Sequence, residues 1–304
     1  MIKRTLYFGN PAYLRLGDKQ LKVMKPKESV ETASIPIEDI GVLLMDHPQI
    51  TLSNALLAAL IENNVAVIGC DNSHHPTGLF LPLEGHILQS KRFKHQLEAS
   101  EALRKNLWAQ TVHAKVLNQA NLLELSNNNP KQLHALLPQI KTGDSDNVEG
   151  RAARIYWPLI TRDNSFVRDR HGFPPNAQLN YAYAILRATV ARALVSSGLL
   201  PTLGIFHKNQ YNAYCLADDI MEPYRPFCDQ IIMNMHYNDE IEFNELTKMQ
   251  KAEILKLLTT DVIIGKKKSP LMIAISRTTH SLYECFAGER RKLIYPSFYE
   301  PTCI

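Results

Sequence analysis

Leu103-Arg104-Lys105-Asn106-Leu107-Trp108-Ala109-Gln110-Thr111-Val112-His113-Ala114-Lys115-Val116 lies inside a run, Gln89 to Leu125, that contains neither glycine nor proline. The run is rich in Ala, Leu, Lys, Glu and Gln, which are good helix formers. Leu97, Leu103, Leu107, Val112, Val116 and Leu123 fall roughly at helical spacings. A long helix with at most one break is expected, ended by Asn127-Asn128-Asn129-Pro130. The residues before it have a different character. Arg4-Thr5-Leu6-Tyr7-Phe8 reads as a strand leading to a turn at Gly9-Asn10-Pro11. Tyr13-Leu14-Arg15-Leu16, Gly17-Asp18 and Lys19-Gln20-Leu21-Lys22-Val23 form two short runs around a turn signal, which indicates a hairpin. Ser34 to Ile37 and Gly41 to Met45 read as extended, Thr51 to Ile61 as the start and body of an apolar helix, and Val65 to Gly69 as a further strand.

Downstream of the long helix, helical segments are expected near 146–160, 178–197, 208–221, 225–235, 245–257 and 270–287. Strand-helix alternation and a sustained heptad repeat are both missing, as are the Gly-rich phosphate loops Gly-x-Gly-x-x-Gly and Gly-x-x-x-x-Gly-Lys. The fold class that follows is α+β and multidomain. A small β-sandwich-like domain of short antiparallel strands is expected over residues 1–86, and a larger all-α domain over 87–304.

Totals narrow the function classes. Of 304 residues, 45% are hydrophobic and 21% charged, an ordinary globular composition. The apolar runs, such as Ala55 to Ile61, fall far short of the roughly 20 residues of a membrane helix. Met1 to Leu6 has no apolar stretch before a small-residue cleavage site, so a cytoplasmic protein is expected. Five scattered cysteines with no Cys-x-x-Cys pair argue against zinc and against a disulfide framework. A net charge of +4 permits a nucleic-acid partner without arguing for one.

The candidate chemistry lies between Glu149 and Glu222. Asp146-Asn147-Val148-Glu149 has the spacing of an acidic helix cap, a reading that needs no function. Arg151 and Arg154 follow in the first two helical turns, where they oppose the macrodipole. Phosphate contact and simple solvation both account for them. His207 alone reads as structural. The carboxylates of Asp218, Asp219 and Glu222 downstream raise its interest, because Asp219 and Glu222 share a helical face. His207 and Glu222 are fifteen residues apart. In one straight helix that would be about 22 Å, so a shared ion requires a bend, for which Gly204, Asn209 and Pro223 are available. One imidazole with carboxylates suits Mg²⁺ or Mn²⁺. Such an ion beside a phosphodiester would polarise it and stabilise the leaving oxygen. Arg162, Arg168, Arg170, Lys208, Arg225, Arg277, Arg290, Arg291 and the run Lys266-Lys267-Lys268 could hold the polyanion, although that run also reads as a solvated loop. Trp108 and Trp157 read as core, His74-His75 and His171 as loop residues, Gly172 to Pro175 as a loop over the site, and Pro296 to Ile304 as a tail.

Three separated stretches resemble the CRISPR-associated integrase family, CRISPR-associated protein one. They are Val148-Glu149-Gly150-Arg151-Ala152-Ala153, then Pro175 to Arg187 with Gly204-Ile205-Phe206-His207, then Leu216-Ala217-Asp218-Asp219-Ile220-Met221-Glu222-Pro223-Tyr224-Arg225-Pro226. Ile35 to Ile40 and Val65 to Ile68 are similar to the family's β domain. The resemblance implies that Glu149, His207 and Glu222 ligate the metal and that Asp219 is a further acidic site residue. Many relatives carry Asp where this chain has Glu222. The stretch Met221 to Pro226 looks most like members from type II systems, which use an RNA-guided single-protein effector. The implied act is transesterification, in which the 3′-hydroxyl of a captured DNA fragment attacks the repeat of a CRISPR array. The implied partners are DNA, a second copy through the β domain, the small CRISPR-associated protein two, and the RNA-guided effector nuclease. Two rival readings use the same residues: a stand-alone metal-dependent nuclease acting on branched or single-stranded DNA, and a non-catalytic DNA scaffold.

Overall fold

A computed structural model describes residues 3–26, 31–238 and 245–298. The chain divides into two units, Met1–Ile87 and Leu88–Ile304. The first carries β1 (Arg4–Phe8), β2 (Ala12–Gly17), β3 (Gln20–Met24), β4 (Glu31–Pro36), β5 (Ile40–Met45), β6 (Ile50–Leu52), α1 (Asn54–Glu62), β7 (Ala66–Cys70) and β8 (Pro76–Phe80). One four-stranded sheet runs β1-β5-β7-β8 and a second runs β4-β3-β2-β6. Asp18 and Lys19 both adopt positive φ, the two-residue turn that matches strand twist in a hairpin. The strands are not all antiparallel, contrary to the sequence expectation. β5 runs parallel to β1 and β7, and β2 runs parallel to β6. The reason is connectivity: α1 carries the chain back over the sheet between β5 and β7, a crossover that only parallel neighbours need.

The two sheets and α1 share one core. Leu14 and Leu21 enter it from the second sheet, Leu43 and Val67 from the first, and Leu56 and Leu60 from α1. β2 alternates buried and exposed positions, as a strand covered on one face should. β5 is buried from Ile40 to Leu44, as expected of a central parallel strand.

The second unit carries α2 (Gln89–Glu98), α3 (Glu101–Leu125), α4 (Lys131–Leu136), α5 (Val148–Thr161), α6 (Asn176–Ser196), α7 (Cys215–Met221), α8 (Arg225–Tyr237), α9 (Lys248–Leu255), β9 (Asp261–Ile264), β10 (Lys267–Pro270), α10 (Leu271–Phe286) and β11 (Ser297–Phe298). The single break in the long helix falls at Ala99-Ser100, where the Ser100 hydroxyl accepts from the Leu103 amide and starts α3. α3 is the axis of the unit and packs against α4, α5, α7 and α8.

Two expectations need correcting here. The unit is not all-α: Gly265 and Lys266, both at positive φ, turn β9 into β10, and β11 pairs on the other side of β9. Of the lysine run, Lys266 is therefore in a hairpin turn and Lys267 and Lys268 are in β10; of the stretch read as a tail, Ser297 and Phe298 form β11 and 299–304 lie outside the described residues. The segment 208–221 is helical only from Cys215. Before it, the Asn209 and Asn212 side chains accept from the Tyr211 and Tyr214 amides, local turns that compete with a helix. Among the described residues no helix is long and apolar enough to cross a membrane. Cys70, Cys215, Cys228 and Cys285 are all free thiols.

Leu43 is fully buried in the shared core of the first unit. Leu43→Ala should lower unfolding stability by about 2–5 kcal/mol in a urea titration followed by circular dichroism. Glu62→Ala, at an exposed helix end, should stay within about 0.5 kcal/mol of the parent.

Candidate active site

Glu149 stands at the second residue of α5. The cap that starts this helix does not use it. Asn147, in the left-handed region, accepts from the Gly150 amide at 3.1 Å. The Asp144 carboxylate accepts from the Val148 and Glu149 amides at 2.8 and 3.0 Å. The reading of Asp146 and Glu149 as a reciprocal cap is thereby corrected. With its backbone satisfied by others, the Glu149 side chain is free to turn inward, where Oε1 meets the Lys115 ammonium at 2.6 Å.

The same ammonium lies 2.5 Å from Glu222 Oε2. Glu222 begins a 3₁₀ turn, Glu222–Tyr224, between α7 and α8. Three supports fix that turn. The Asn118 amide donates to the Pro223 and Pro296 carbonyls at 2.8 and 3.0 Å. The buried Tyr224 hydroxyl is 2.6 Å from the Thr278 hydroxyl. Arg225 reaches the other Glu222 oxygen at 2.8 Å. Burial alone would raise the Glu222 carboxyl, but Arg225 and Lys115 outweigh it and hold it below the ordinary range. Burial alone would likewise lower Lys115, yet Glu222 and Glu149 keep it charged and above the usual lysine value. Both groups are ionised at neutral pH.

His207 sits on the loop before α7, not on a helix, and this is where the chain bends. Asp219 makes the bend. Its carboxylate is fully buried and accepts from the Ile205, Phe206 and His207 amides at 2.7, 3.0 and 3.2 Å. It also meets His207 Nδ1 at 2.5 Å. A Cβ on Gly204 would collide with the His207 carbonyl and lie 2.7 Å from Asp219 Oδ2, so only glycine lets the loop wrap the carboxylate this closely. Asp219 therefore orients the histidine and stands behind it. Its hydrogen bond raises the His207 pKa above the ordinary value, partly offset by burial. With Nδ1 engaged, Nε2 is the ring nitrogen left to act. Trp108, fully buried, stacks on Phe206 at 4.2 Å and meets the His207 ring edge-on at 5.6 Å. Asp218 serves the same loop from outside, pairing with Arg187 at 2.6 Å and accepting from Asn212 at 2.7 Å.

Behind the carboxylates lies a cavity of about 490 Å³ whose lining includes Lys115, Arg154, Arg168, Arg225, Trp157 and Phe166. Buried Asp229 anchors its floor, accepting from the Tyr156 and Tyr183 hydroxyls at 2.8 and 2.5 Å. Burial pushes the Asp229 carboxyl up to about 6, against the pull of those two hydroxyls. The Tyr183 ring in turn carries Arg225 at 4.8 Å and Arg168 at 5.1 Å. A larger cavity of about 880 Å³, between α3 and residues 288–295, holds none of Lys115, Glu149, His207 and Glu222.

Some expected site residues converge here and others do not. Glu149 and Glu222 meet at Lys115, and both carboxylates also raise His207. Arg154, Arg168 and Arg225 gather in the cavity. Arg151 instead bonds Gln139 at 2.9 Å, Arg162 lies over Tyr237, Lys208 is exposed near Arg104 and Lys105, and Lys266 to Lys268 sit on the β9–β10 hairpin. Trp157 is half-buried on the cavity wall and not core. Phe166 to Arg168 wall the cavity, whereas no residue from Gly172 to Pro175 does. His74, read as a loop residue, pairs with buried Asp46 at 2.8 Å within the first unit.

Sequence reading passed over Lys115. The available signal was its stripe on α3: Trp108, Thr111, Asn118 and Leu122 occupy the same face and are buried.

As donors, two carboxylates and one free imidazole nitrogen match what a hard divalent cation takes. As they lie, no three His, Cys, Asp or Glu side chains among the described residues surround one point. The position between the two carboxylates belongs to Lys115.

The chain matches the family model described as CRISPR associated protein Cas1 over residues 6–264. It is 34% identical over 283 residues to the CRISPR-associated endonuclease Cas1 of Neisseria meningitidis serogroup C (strain 8013), covering 92% of this chain and 91% of that one. Its fold is similar to that of a casposase bound to integration product, with a TM-score of 0.77 at 19% identity, covering 100% of this chain and 96% of that one. It is also similar to a chain of a Cas6-RT-Cas1–Cas2 complex, with a TM-score of 0.72 at 18% identity, covering 96% of this chain and 36% of that one.

Asp219→Asn should return the His207 ring titration toward the ordinary value of 6.5, read by nitrogen-15 NMR of the imidazole. The parent pair stabilises the fold below pH 6.5 and loses that contribution as pH rises through the raised His207 pKa. The variant should lose this pH dependence, and about 1–3 kcal/mol of stability with the buried hydrogen bonds.

Proposed function

The chain belongs to the Cas1 family of CRISPR-associated proteins, and from that premise we propose that it integrates DNA into a CRISPR array by metal-dependent strand transfer. At the coarser level it is a CRISPR-associated nuclease and integrase. The single observation that carries the finer reading is the convergence of Glu149 and Glu222 on one cationic point. His207 lies within reach of the charge of both, with one ring nitrogen committed to Asp219.

We assign one Mg²⁺ or Mn²⁺ to Glu149, Glu222 and the free Nε2 of His207, where the ion would polarise a phosphoryl oxygen and stabilise the leaving one. The Asp219 hydrogen bond fixes the ring and its tautomer, the usual arrangement behind a ligating histidine. Arg154, Arg168 and Arg225 would hold the phosphodiester backbone in the adjoining cavity. The 3′-hydroxyl oxygen of the fragment forms a bond to phosphorus as the bond to the repeat strand's 3′-oxygen breaks. The hydroxyl proton is lost to solvent and the departing oxygen gains one. One phosphodiester forms for each one broken, so the step needs no energy source and runs in either direction. Water in place of the hydroxyl would turn the same site into a nuclease acting on branched or single-stranded DNA.

We carry further partners forward on the same reading. Cas2 is supported by the Cas1–Cas2 complex whose chain this fold resembles, and DNA by the casposase with its integration product. A homodimer through the first unit, the RNA-guided effector nuclease and a type II-like system rest on the sequence resemblance.

His207→Ala should fold and bind DNA normally yet lose strand transfer by at least about 10²-fold. The assay joins duplex fragments with 3′-hydroxyl ends to a supercoiled repeat plasmid in the presence of the small partner. Unchanged joining by the variant rejects the site. Cutting without any joined product by the parent chain selects the nuclease.

A further inference from the structure

Lys115 contributes a feature that the donor set alone does not explain. Its side chain is 11% exposed, and its ammonium lies 2.6 Å from Glu149 and 2.5 Å from Glu222. A Mg²⁺–oxygen bond is about 2.0–2.1 Å. An ammonium at these distances from two carboxylate oxygens fills the gap such an ion would need. Charge leads to the same conclusion. With Arg225 on the second Glu222 oxygen, two carboxylates already face two cations. A divalent ion added to that set would face an ammonium in a largely buried place, where like charges repel strongly. The two cations therefore exclude each other.

Lys115 also has somewhere to go. It lines the cavity shared by Arg154, Arg168 and Arg225, so rotation of its long side chain takes the ammonium from the carboxylates toward three other positive groups. Alone, that move is unfavourable. It becomes favourable when a phosphodiester brings negative charge into the cavity.

We propose that Lys115 is a metal-mimicking residue, holding the Glu149–Glu222 pair until substrate arrives, then yielding it to the divalent ion and taking up a DNA phosphate. The inference rests on the metal assignment above and adds an order to it: metal binds tightly only with DNA. The test is Mn²⁺ titration of the full chain by electron paramagnetic resonance, with and without duplex DNA bearing 3′-hydroxyl ends. Without DNA, Lys115→Met should bind Mn²⁺ about tenfold more tightly than the parent. DNA should raise the parent's affinity by a larger factor than the variant's. Equal affinity of parent and variant without DNA overturns the role of Lys115 and leaves the metal assignment standing. Absence of Mn²⁺ binding from both, with DNA present, overturns the metal assignment and this proposal together. A second measurement needs no variant. Mass spectrometry after brief amine acylation of the parent chain reads how firmly the Lys115 ammonium is held. Saturating Mn²⁺ should increase labelling of Lys115 severalfold, and labelling unchanged by bound Mn²⁺ overturns the proposal.

Discussion

Two carboxylates from distant parts of the chain can be brought together only around positive charge. Here Lys115 supplies it, and the architecture of the second unit follows from that need. Glu149 and Glu222 arrive on different elements, and each would repel the other in a place this buried. The lysine on α3 lies between them, and Arg225 covers the outer oxygen of Glu222. α3 must therefore be long and central, because one of its faces carries Trp108 under the histidine loop, Lys115 between the carboxylates and Asn118 under the turn that holds Glu222. One helix face thus supports the His207 loop, the carboxylate pair and the Glu222 turn together.

The acidic trio before Pro223, all three buried, divides its labour by partner. Asp219 spends its oxygens on three backbone amides and the His207 ring of the loop from 205 to 212, and Asp218 spends its own on the Asn212 side chain of that loop and on Arg187. Glu222 alone reaches the lysine. The extra methylene of Glu over Asp suits this, since the residue begins a 3₁₀ turn held from below by Asn118 and Tyr224. Histidine orientation and carboxylate placement are thus separate mechanical problems with separate supports. A change in one need not disturb the other.

Much of the helical framework was legible because it rests on local chemistry. The absence of Gly and Pro from Gln89 to Leu125 and the Ser100 cap are both written in neighbouring residues. Glu149 was not legible locally. Its spacing from Asp146 is that of a cap, and only tertiary structure shows that Asp144 and Asn147 take the cap's amides. His207 and Lys115 share that obscurity. A single histidine, or a lysine within a helix, has no periodic signature, and its role depends on residues far away in the chain. Parallel pairing of β5 escaped for a similar reason, since strand direction is decided by the path of α1 and not by the strand's own residues. The resemblance to a known family grouped Glu149, His207 and Glu222, and of these the structure brings Glu149 and Glu222 to one point. It did not supply the lysine between them.

The double hydrogen bond of Asn118 has a consequence for biosynthesis. Its amide waits on α3, while the carbonyls it serves lie 105 and 178 residues further along the chain. During translation α3 and both glutamates emerge well before Pro296. The turn holding Glu222 gains its last fastening only once the β11 segment has left the ribosome and paired with β9. Long-range closures of this kind form late in folding. A half-made chain therefore carries Glu149, His207 and Glu222 before the last of the contacts beneath the Glu222 turn can form.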